Sequence, residues 1–452
     1  MGVGGGTVRP PRDSGSRSAG RAPLRSPAAA SASVVGVTAV PLRRNRDFVL
    51  LQAAQLLSSG GSQMTAIAYP LLVLALTGSP AKAGLVAFAR LLAMAVFALP
   101  AGLMADHWSR RRLMLATYAL RALTIGTLTV LVATDQILFW MIPLIAFVEG
   151  SGVAIFSVAQ AGALRSVVPK DQLPAAVAVV TGREAVVSLA APPIGGALFT
   201  IGRALPFLAH TVSYALATLA LLATRTPFQE TRERDRAPIR ARLAEGFRFL
   251  WDNPFQRTTA FLYGLTNFIG PGVLLAVVVI GKREGLSGGE LGLLLASFAA
   301  CLLLGSMLSP YVRRVLPVRG VLLLELWTWT GCALFVVWPS IYVLVASILP
   351  TALAIPSTDS VVGSYQLAMT PDRLVGRVES VRSAIALLIA PLGPLIAGVL
   401  LDATSERATI AVFAGTGLVL ALWGTFSTAI RSAPTLDELT ELPAPQPTSV
   451  SG

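Results

Sequence analysis

The sequence predicts an all-α membrane protein: twelve transmembrane helices in two six-helix bundles related by pseudo-twofold symmetry. Three observations lead there. The chain of 452 residues is 54% hydrophobic and only 13% charged, with a mean hydropathy of +0.69. A soluble domain carries about 25% charged residues, so this composition excludes a cytosolic enzyme, a disulfide-rich secreted protein and a disordered chain. Apolar stretches of spanning length recur twelve times, and a single long charged loop divides them six and six. Short motifs in the first six stretches reappear in the last six.

A spanning helix needs about 20 mostly apolar residues. That ruler places spans near 48–76, 82–105, 113–133, 137–164, 174–201, 204–224, 257–281, 289–312, 321–339, 341–367, 379–401 and 408–430. The implied organisation is a disordered basic cytoplasmic tail (1–45), an N-terminal bundle (46–224), a cytoplasmic linker (225–256), a C-terminal bundle (257–430) and a disordered tail (431–452). The first tail lacks the strong apolar core of a signal peptide. In the linker, Leu243, Phe247, Leu250 and Trp251 recur at helical spacing among Arg240, Arg242, Glu245 and Arg248. This is an amphipathic helix that lies either on lipid headgroups or against protein.

Charge supplies the topology. The N-terminal segment, the loops after even-numbered spans and the C-terminal tail hold 28 of the 36 Lys and Arg residues, counting Arg257 and Arg382 at the near ends of spans 7 and 11. The other loops hold Lys82, Arg203, Lys282, Arg283 and Arg407, and Arg90, Arg121 and Arg183 lie within spans. By the positive-inside rule both termini are cytoplasmic, in a multi-pass protein of the inner (plasma) membrane. The net charge of +13 is spread between apolar blocks, so it marks topology and not a nucleic-acid partner. Cys301 and Cys332 sit in apolar runs and are expected to be buried thiols.

The halves repeat at a shift of about 201 residues. Pro169-Lys-Asp-Gln-Leu173 corresponds to Pro371-Asp-Arg-Leu374, and Ala191-Pro-Pro-Ile-Gly-Gly196 to Gly393-Pro-Leu-Ile-Ala-Gly398. Two related bundles that rock about a shared substrate path explain such a repeat.

Between spans 2 and 3 lies Gly102-Leu-Met-Ala-Asp106-His-Trp-Ser-Arg110-Arg111-Arg112-Leu-Met114. This segment resembles the signature of the major facilitator superfamily, G-x-L-a-D-r-x-G-r-r-x-x-l. Gly102, Asp106, Arg110 and Arg111 match; Ser109 replaces a glycine. The resemblance implies the major facilitator fold and a cytoplasmic gate at these four residues, with Gly102 permitting close helix approach. The second copy, Gly305-Ser-Met-Leu-Ser309, lacks the acid, so the first copy should dominate. Pro192, Gly195 and Gly196, with Gly393, Pro394 and Gly398 as counterparts, are similar to the G-P-x-x-G-G core of antiporters in this superfamily. That points to helices that bend and approach closely. Most of 43–425 resembles the drug:proton antiporter branch of macrolide-efflux and enterobactin-exporter proteins, notably at Leu71–Gly78, Ala89-Arg90-Leu91 and Glu245–Pro254. Two departures stand out: Gly61-Ser62 replaces the branch's common glycine-acid pair, and Ala146 stands where many drug exporters carry an arginine.

Each intramembrane charge costs about 2.5–3.5 kcal/mol on insertion scales and so calls for a reason. Glu149 and Asp359 are the candidates for proton coupling; a structural pairing of Glu149 with Arg121 or Arg90 is the competing reading. Arg183 and Glu184, as adjacent residues, should pair with other helices. Glu325 should be neutralised by Arg313, Arg314 or Arg319. Gln52, Gln55 and Ser59 form a polar stripe on span 1, matched by Tyr263 and Asn267 on span 7, and together they are the candidate cavity.

No G-x-x-x-x-G-K-[ST] segment occurs, which argues against ATP-driven export. The two histidines, His107 and His210, suggest neither catalysis nor a metal site. The expected function is secondary active export of an amphipathic small molecule (a drug, secondary metabolite or siderophore) by proton antiport and alternating access. The protein is expected to be a monomer with no cofactor beyond the proton gradient and no enzymatic activity. Proton-coupled uptake of a nutrient is one alternative; a non-transporting membrane receptor or scaffold is another.

Overall fold

The computed structural model describes residues 1–2, 41–224 and 239–433. Most of both predicted tails, and the linker before Ile239, lie outside these residues. In the first half, α1 (Arg46–Thr77), α2 (Pro80–His107), α3 (Arg110–Ala133), α4 (Met141–Val167), α5 (Leu173–Ile201) and α6 (Leu205–Leu222) run back and forth. The linker helix α7 (Ile239–Asp252) follows. The second half contains α8 (Pro254–Arg283), α9 (Gly288–Val315), α10 (Val318–Trp329), α11 (Leu334–Val337), α12 (Ile341–Met369), α13 (Asp372–Ile389), α14 (Leu392–Ala403), α15 (Glu406–Phe426) and α16 (Thr428–Arg431). Among the described residues twelve helical segments are long and apolar enough to cross a membrane. The protein is a multi-pass membrane protein.

Local chemistry sets the helix ends. Pro80 and Pro254 stand in the first helical turn, where the missing N–H removes no hydrogen bond. Ser79 and Asn253 cap those helices with their side chains, and Ser287 and Glu290 form a capping box on α9. Gly78 closes α1 at φ 66°, a left-handed conformation that glycine adopts without strain.

Several boundaries differ from the sequence expectation. A 3-10 turn at Leu42–Arg44 precedes α1, and the Asn45 side chain both accepts from Phe48 N (3.2 Å) and donates to Val167 O (3.0 Å). The folded chain therefore starts before the predicted tail ends. The second bundle begins at Pro254, and span 4 starts at Met141. Span 9 is interrupted by a 3-10 turn at Thr330–Ala333, and span 11 breaks between α13 and α14 at Pro391, a residue with no N–H to offer the helix.

The first six spanning helices pack chiefly on one another, as do the last six. The halves meet where α2 crosses α14 and where α5 crosses α9, two contacts that exchange under a twofold axis. Large apolar side chains such as Leu123 and Ile201 point outward, as a lipid-facing surface requires. The linker helix packs on protein: Leu250 is buried against Leu374, Val378 and Val381, and Glu245 pairs with Arg377 and, at 3.4 Å, with Arg373. Phe247 and Trp251 stack on each other at 5.6 Å and remain half-exposed; Trp251 also meets Phe261 of α8 edge-on at 6.4 Å and lies under the Arg257 guanidinium, so this second apolar face borders the bundle at Trp251.

Candidate substrate cavities and their charged clusters

The helices define two faces: one carries the start of α1 and the α2–α3 turn, the other carries Gly78 and the start of α9. Near the second face the halves are locked together. A Cβ added at Gly196 would overlap the backbone of Gly288, and one at Gly292 would overlap that of Pro192. At the twofold-related contact, a Cβ at Gly84 would strike the Pro394 carbonyl and one at Gly398 the Pro80 carbonyl. Ser79 Oγ donates to Asp402 Oδ2 at 2.6 Å across the same junction. Gly196, Pro394 and Gly398 thus meet the opposite half. Gly195 instead approaches Met64 of α1, and Gly393 approaches Phe268 of α8, each within its own half.

The signature segment is arranged differently from expectation. Gly102 has open space where a Cβ would project, so the close approach expected there is not made. Backbone approach on α2 occurs instead at Gly84 and at Arg90, whose carbonyl leaves no room for a side chain at Gly150. Arg111 donates to Leu222 O at 2.9 Å, and the Arg110 guanidinium fills the space over Gly162. Both arginines therefore tie α3 to neighbours in the first half. The Asp106 side chain lies outside the described set.

Between the locked face and the opposite one sit two cavities of about 380 Å3, one in each half. The first is lined by Gln55, Ser59, Ser157, Gln160, Arg183 and Glu184 among others. Gln52 borders a smaller adjoining pocket and accepts from Arg183 Nη1 at 2.6 Å. The second is lined by Tyr263, Asn267, Glu325, Trp329, Asp359 and Arg382 among others. The two polar stripes read from the sequence thus line separate cavities. Tyr263 also donates to Leu322 O at 2.8 Å, and Asn267 donates to Tyr263 O.

Behind the first cavity lies a buried ionic cluster. Glu149 is fully buried and receives Arg90 Nε on Oε2 and Arg121 Nη2 on Oε1, both at 2.7 Å. Arg121 also donates to Ser62 Oγ at 2.8 Å and lies 4.5 Å from the centre of the Tyr214 ring. Pairing stabilises a carboxylate in a low-dielectric interior, where lone charges are expensive. His210 is buried beside this cluster, with Nδ1 3.1 Å from Thr65 Oγ1. Ser62, at the position of the branch's missing acid, is part of the network that holds the two arginines.

One expectation is met in part and one is overturned. Arg183 reaches another helix through Gln52 of α1, and it also meets its neighbour Glu184 at 3.2 Å, the long guanidinium reaching back along the cavity wall while Glu184 stays exposed. Among the described residues Glu325 has no ion pair; Arg313 instead bonds Ser309 O and Arg319 bonds Thr425 O. Glu325 is 4% exposed, borders the second cavity and has the Thr358 and Trp329 side chains beside its carboxyl. Asp359 faces the same cavity and is solvent-exposed. Its place on α12, with Glu325 on α10, concealed their shared cavity from sequence reasoning. Both cysteines are free thiols; Cys332 is buried as expected, whereas Cys301 is only partly buried.

Comparison with known proteins places this architecture. The description Major Facilitator Superfamily matches residues 52–324. The chain is 26% identical over 407 residues to the multidrug efflux pump Tap of Mycolicibacterium fortuitum, covering 85% of this chain and 96% of that protein. It is 26% identical over 382 residues to the pump of the same name in Mycobacterium tuberculosis strain H37Rv, covering 81% and 89%. Among solved structures, a bacterial homologue of the human lysosomal transporter Spinster in an inward-facing, occupied conformation superposes with a TM-score of 0.68 at 16% identity, covering 86% of this chain and 97% of that one. The nucleoside transporter NupG superposes with a TM-score of 0.65 at 13% identity, covering 87% and 100%. With twelve spanning helices, an internal twofold repeat and a family match over more than half its length, the chain belongs to the major facilitator superfamily.

Proposed function

We propose that this protein is a secondary active exporter of amphipathic small molecules, driven by proton antiport and working by alternating access. The observation that carries the reading is one-sided closure: backbone contacts at Gly196–Gly288 and Gly84–Pro394 seal one face, and both polar cavities lie on the other side of that seal. The basic loops assign the cavity side to the cytoplasm under the positive-inside rule. This is the state in which an exporter of this architecture loads its cargo. Its relatives from Mycolicibacterium and Mycobacterium are multidrug efflux pumps, which supports drug-like cargo and the outward direction.

In this reading Asp359 is the proton carrier, because it faces the cavity and no ion pair holds it among the described residues. Glu149, clamped by two arginines, keeps its charge and fixes the first half. Asp106, Arg110 and Arg111 form the cytoplasmic gate, which re-forms when the cavities turn outward. The transporter works as a monomer with no cofactor, using protons and one small-molecule substrate.

Purified protein in liposomes, with a fluorescent drug and an imposed pH gradient, tests this. Gradient-dependent drug movement toward the acidic side is expected. Equal movement with and without the gradient would overturn the antiport reading. Asp106→Asn should slow turnover with drug binding still measurable, and normal turnover would remove its gating role.

A further inference from the structure

Around the cavity of the first half, three arginines face two carboxylates. Arg90 and Arg121 share Glu149, and Arg183 pairs with Glu184, which is itself 60% exposed. One positive charge is left in excess. Ser62 is its source: Arg121 Nη2 bonds Glu149 at 2.7 Å and the Ser62 hydroxyl at 2.8 Å, so its second partner carries no charge. A surplus charge at this depth is costly and calls for a counter-ion that is not part of the described chain. Unused donors point the same way. Arg90 gives only Nε to Glu149; its two terminal nitrogens make no hydrogen bond among the described residues, and the side chain is 22% exposed at the cavity. Arg183 commits its terminal nitrogens to Gln52 and Glu184, and its buried Nε has no partner. Gln55, 4% exposed, borders the same space with Nε2 unpaired. Buried N–H groups are ordinarily paired, and since all of these are donors, the partner they lack is an acceptor. Phe156 and Val187 add an apolar wall to this space of about 380 Å3, within the size range of small-molecule sites, about 300–1,000 Å3.

We propose that the cavity of the first half binds the oxyanion end of an amphipathic substrate, with Arg90 and Arg183 as charged donors, Gln55 as a neutral donor and Phe156 on the apolar side. The inference rests on the efflux reading above and gives it a substrate class: organic anions such as carboxylates, oriented with the negative end in the first half. A guanidinium fork holds a planar oxyanion through paired, charge-assisted hydrogen bonds. Arg121 stays on Glu149 and Ser62 and acts by leaving the cluster one charge short of neutral. A lipid phosphate offers the same chemistry to the same donors, and the test separates the two sources.

The test uses purified full-length protein in detergent at equilibrium with no gradient, and two probes with the same ring and chain, pyrenebutyrate and its methyl ester. The carboxylate should bind at least about tenfold more tightly than the ester, the worth of one charge-assisted hydrogen bond. Ser62→Asp sets a carboxylate beside Arg121 and cancels the surplus charge; Arg183→Gln removes a donor. Each should weaken carboxylate binding at least about tenfold and leave ester binding unchanged. A benzophenone carboxylate should photolabel α1, α4 or α5. Neither phosphatidylglycerol nor phosphatidylcholine should displace the bound carboxylate. Equal affinity for acid and ester, carboxylate binding within about twofold of the parent in either folded variant, or labelling confined to α8, α10 and α12 would each overturn the proposal. Displacement by phosphatidylglycerol alone would assign the site to a lipid phosphate and overturn the substrate class. If one variant fails to fold, the other and the photolabel on the parent protein still decide. Because binding is read without a gradient, carboxylate-selective binding together with absent transport would fail the efflux reading alone. Gradient-driven export of an uncharged drug without carboxylate binding would fail this inference alone.

Discussion

Gly196 on α5 and Gly288 on α9 approach until neither has room for a Cβ, and this contact joins the two halves at the sealed face. A side chain there must either force the helices apart or shift the protein to its other state. Overpacking a close contact costs about 1–3 kcal/mol, which changes a two-state population by about 5–150-fold. Gly196→Val should therefore widen the spin-label distance between the ends of α5 and α9, and slow transport. An unchanged distance distribution would show that the seal tolerates the extra volume. Gly102→Ala is the matching control: its Cβ would enter open space, so no shift is expected.

Asp359 and Glu149 should separate in a transport assay. Asp359→Asn removes the cavity-facing carboxyl and is expected to abolish dependence on an imposed pH gradient, leaving drug exchange across the membrane intact. Glu149→Gln removes the partner of two arginines, so its effect should fall on yield and stability, with gradient dependence retained in whatever protein folds. If gradient dependence survived in both variants, neither acid would carry the proton.

The ionic cluster itself makes a stability prediction. Removing one member of a buried pair leaves an uncompensated charge and costs about 3–5 kcal/mol. Glu149→Gln should markedly lower the midpoint of thermal aggregation in detergent. Arg121→Lys should also lower it, because an ammonium cannot both bond Ser62 and Glu149 and stack over Tyr214 as the planar guanidinium does. A double variant, Glu149→Gln with Arg121→Gln, should lose less than the sum of the two single changes, since each removes the other's stranded partner.

Much of this architecture was legible because the bilayer restricts what a chain can do. Twelve apolar segments can only be spanning helices once every backbone group must be satisfied internally, and the repeat at about 201 residues already pairs the segments of α5 and α14 that seal one face. The breaks were not legible. Span 9 reads as one apolar run, yet it bends at Thr330–Ala333, where a Cβ at Gly331 would come within 2.9 Å of the Ser347 carbonyl. Nor was Glu325. Its nearest arginines in sequence are the partners one expects, but they sit at the helix ends and bond backbone carbonyls, while α10 carries Glu325 inward to meet Asp359 in one cavity. Such contacts between distant helices depend on rotation about the helix axis, which hydropathy does not encode.

The linker helix offers a graded test of how the halves are tethered. Leu250 is buried against Leu374, Val378 and Val381 at the start of α13, and truncating such a side chain costs about 2 kcal/mol or more. That corresponds to roughly 30-fold faster amide exchange by local opening of α7 in Leu250→Ala. Glu245→Gln gives up ion pairs to Arg373 and Arg377 that are partly exposed. Pairs of that kind are worth at most about 1 kcal/mol, so exchange should rise no more than about fivefold. Phe247→Ala removes a half-exposed ring from the outer face and should leave α7 protection unchanged in detergent. Hydrogen exchange over Ile239–Asp252 reads all three variants. The order Leu250, Glu245, Phe247 follows if the helix is held by protein; the reverse order would mean that lipid or detergent on the Phe247–Trp251 face holds it instead.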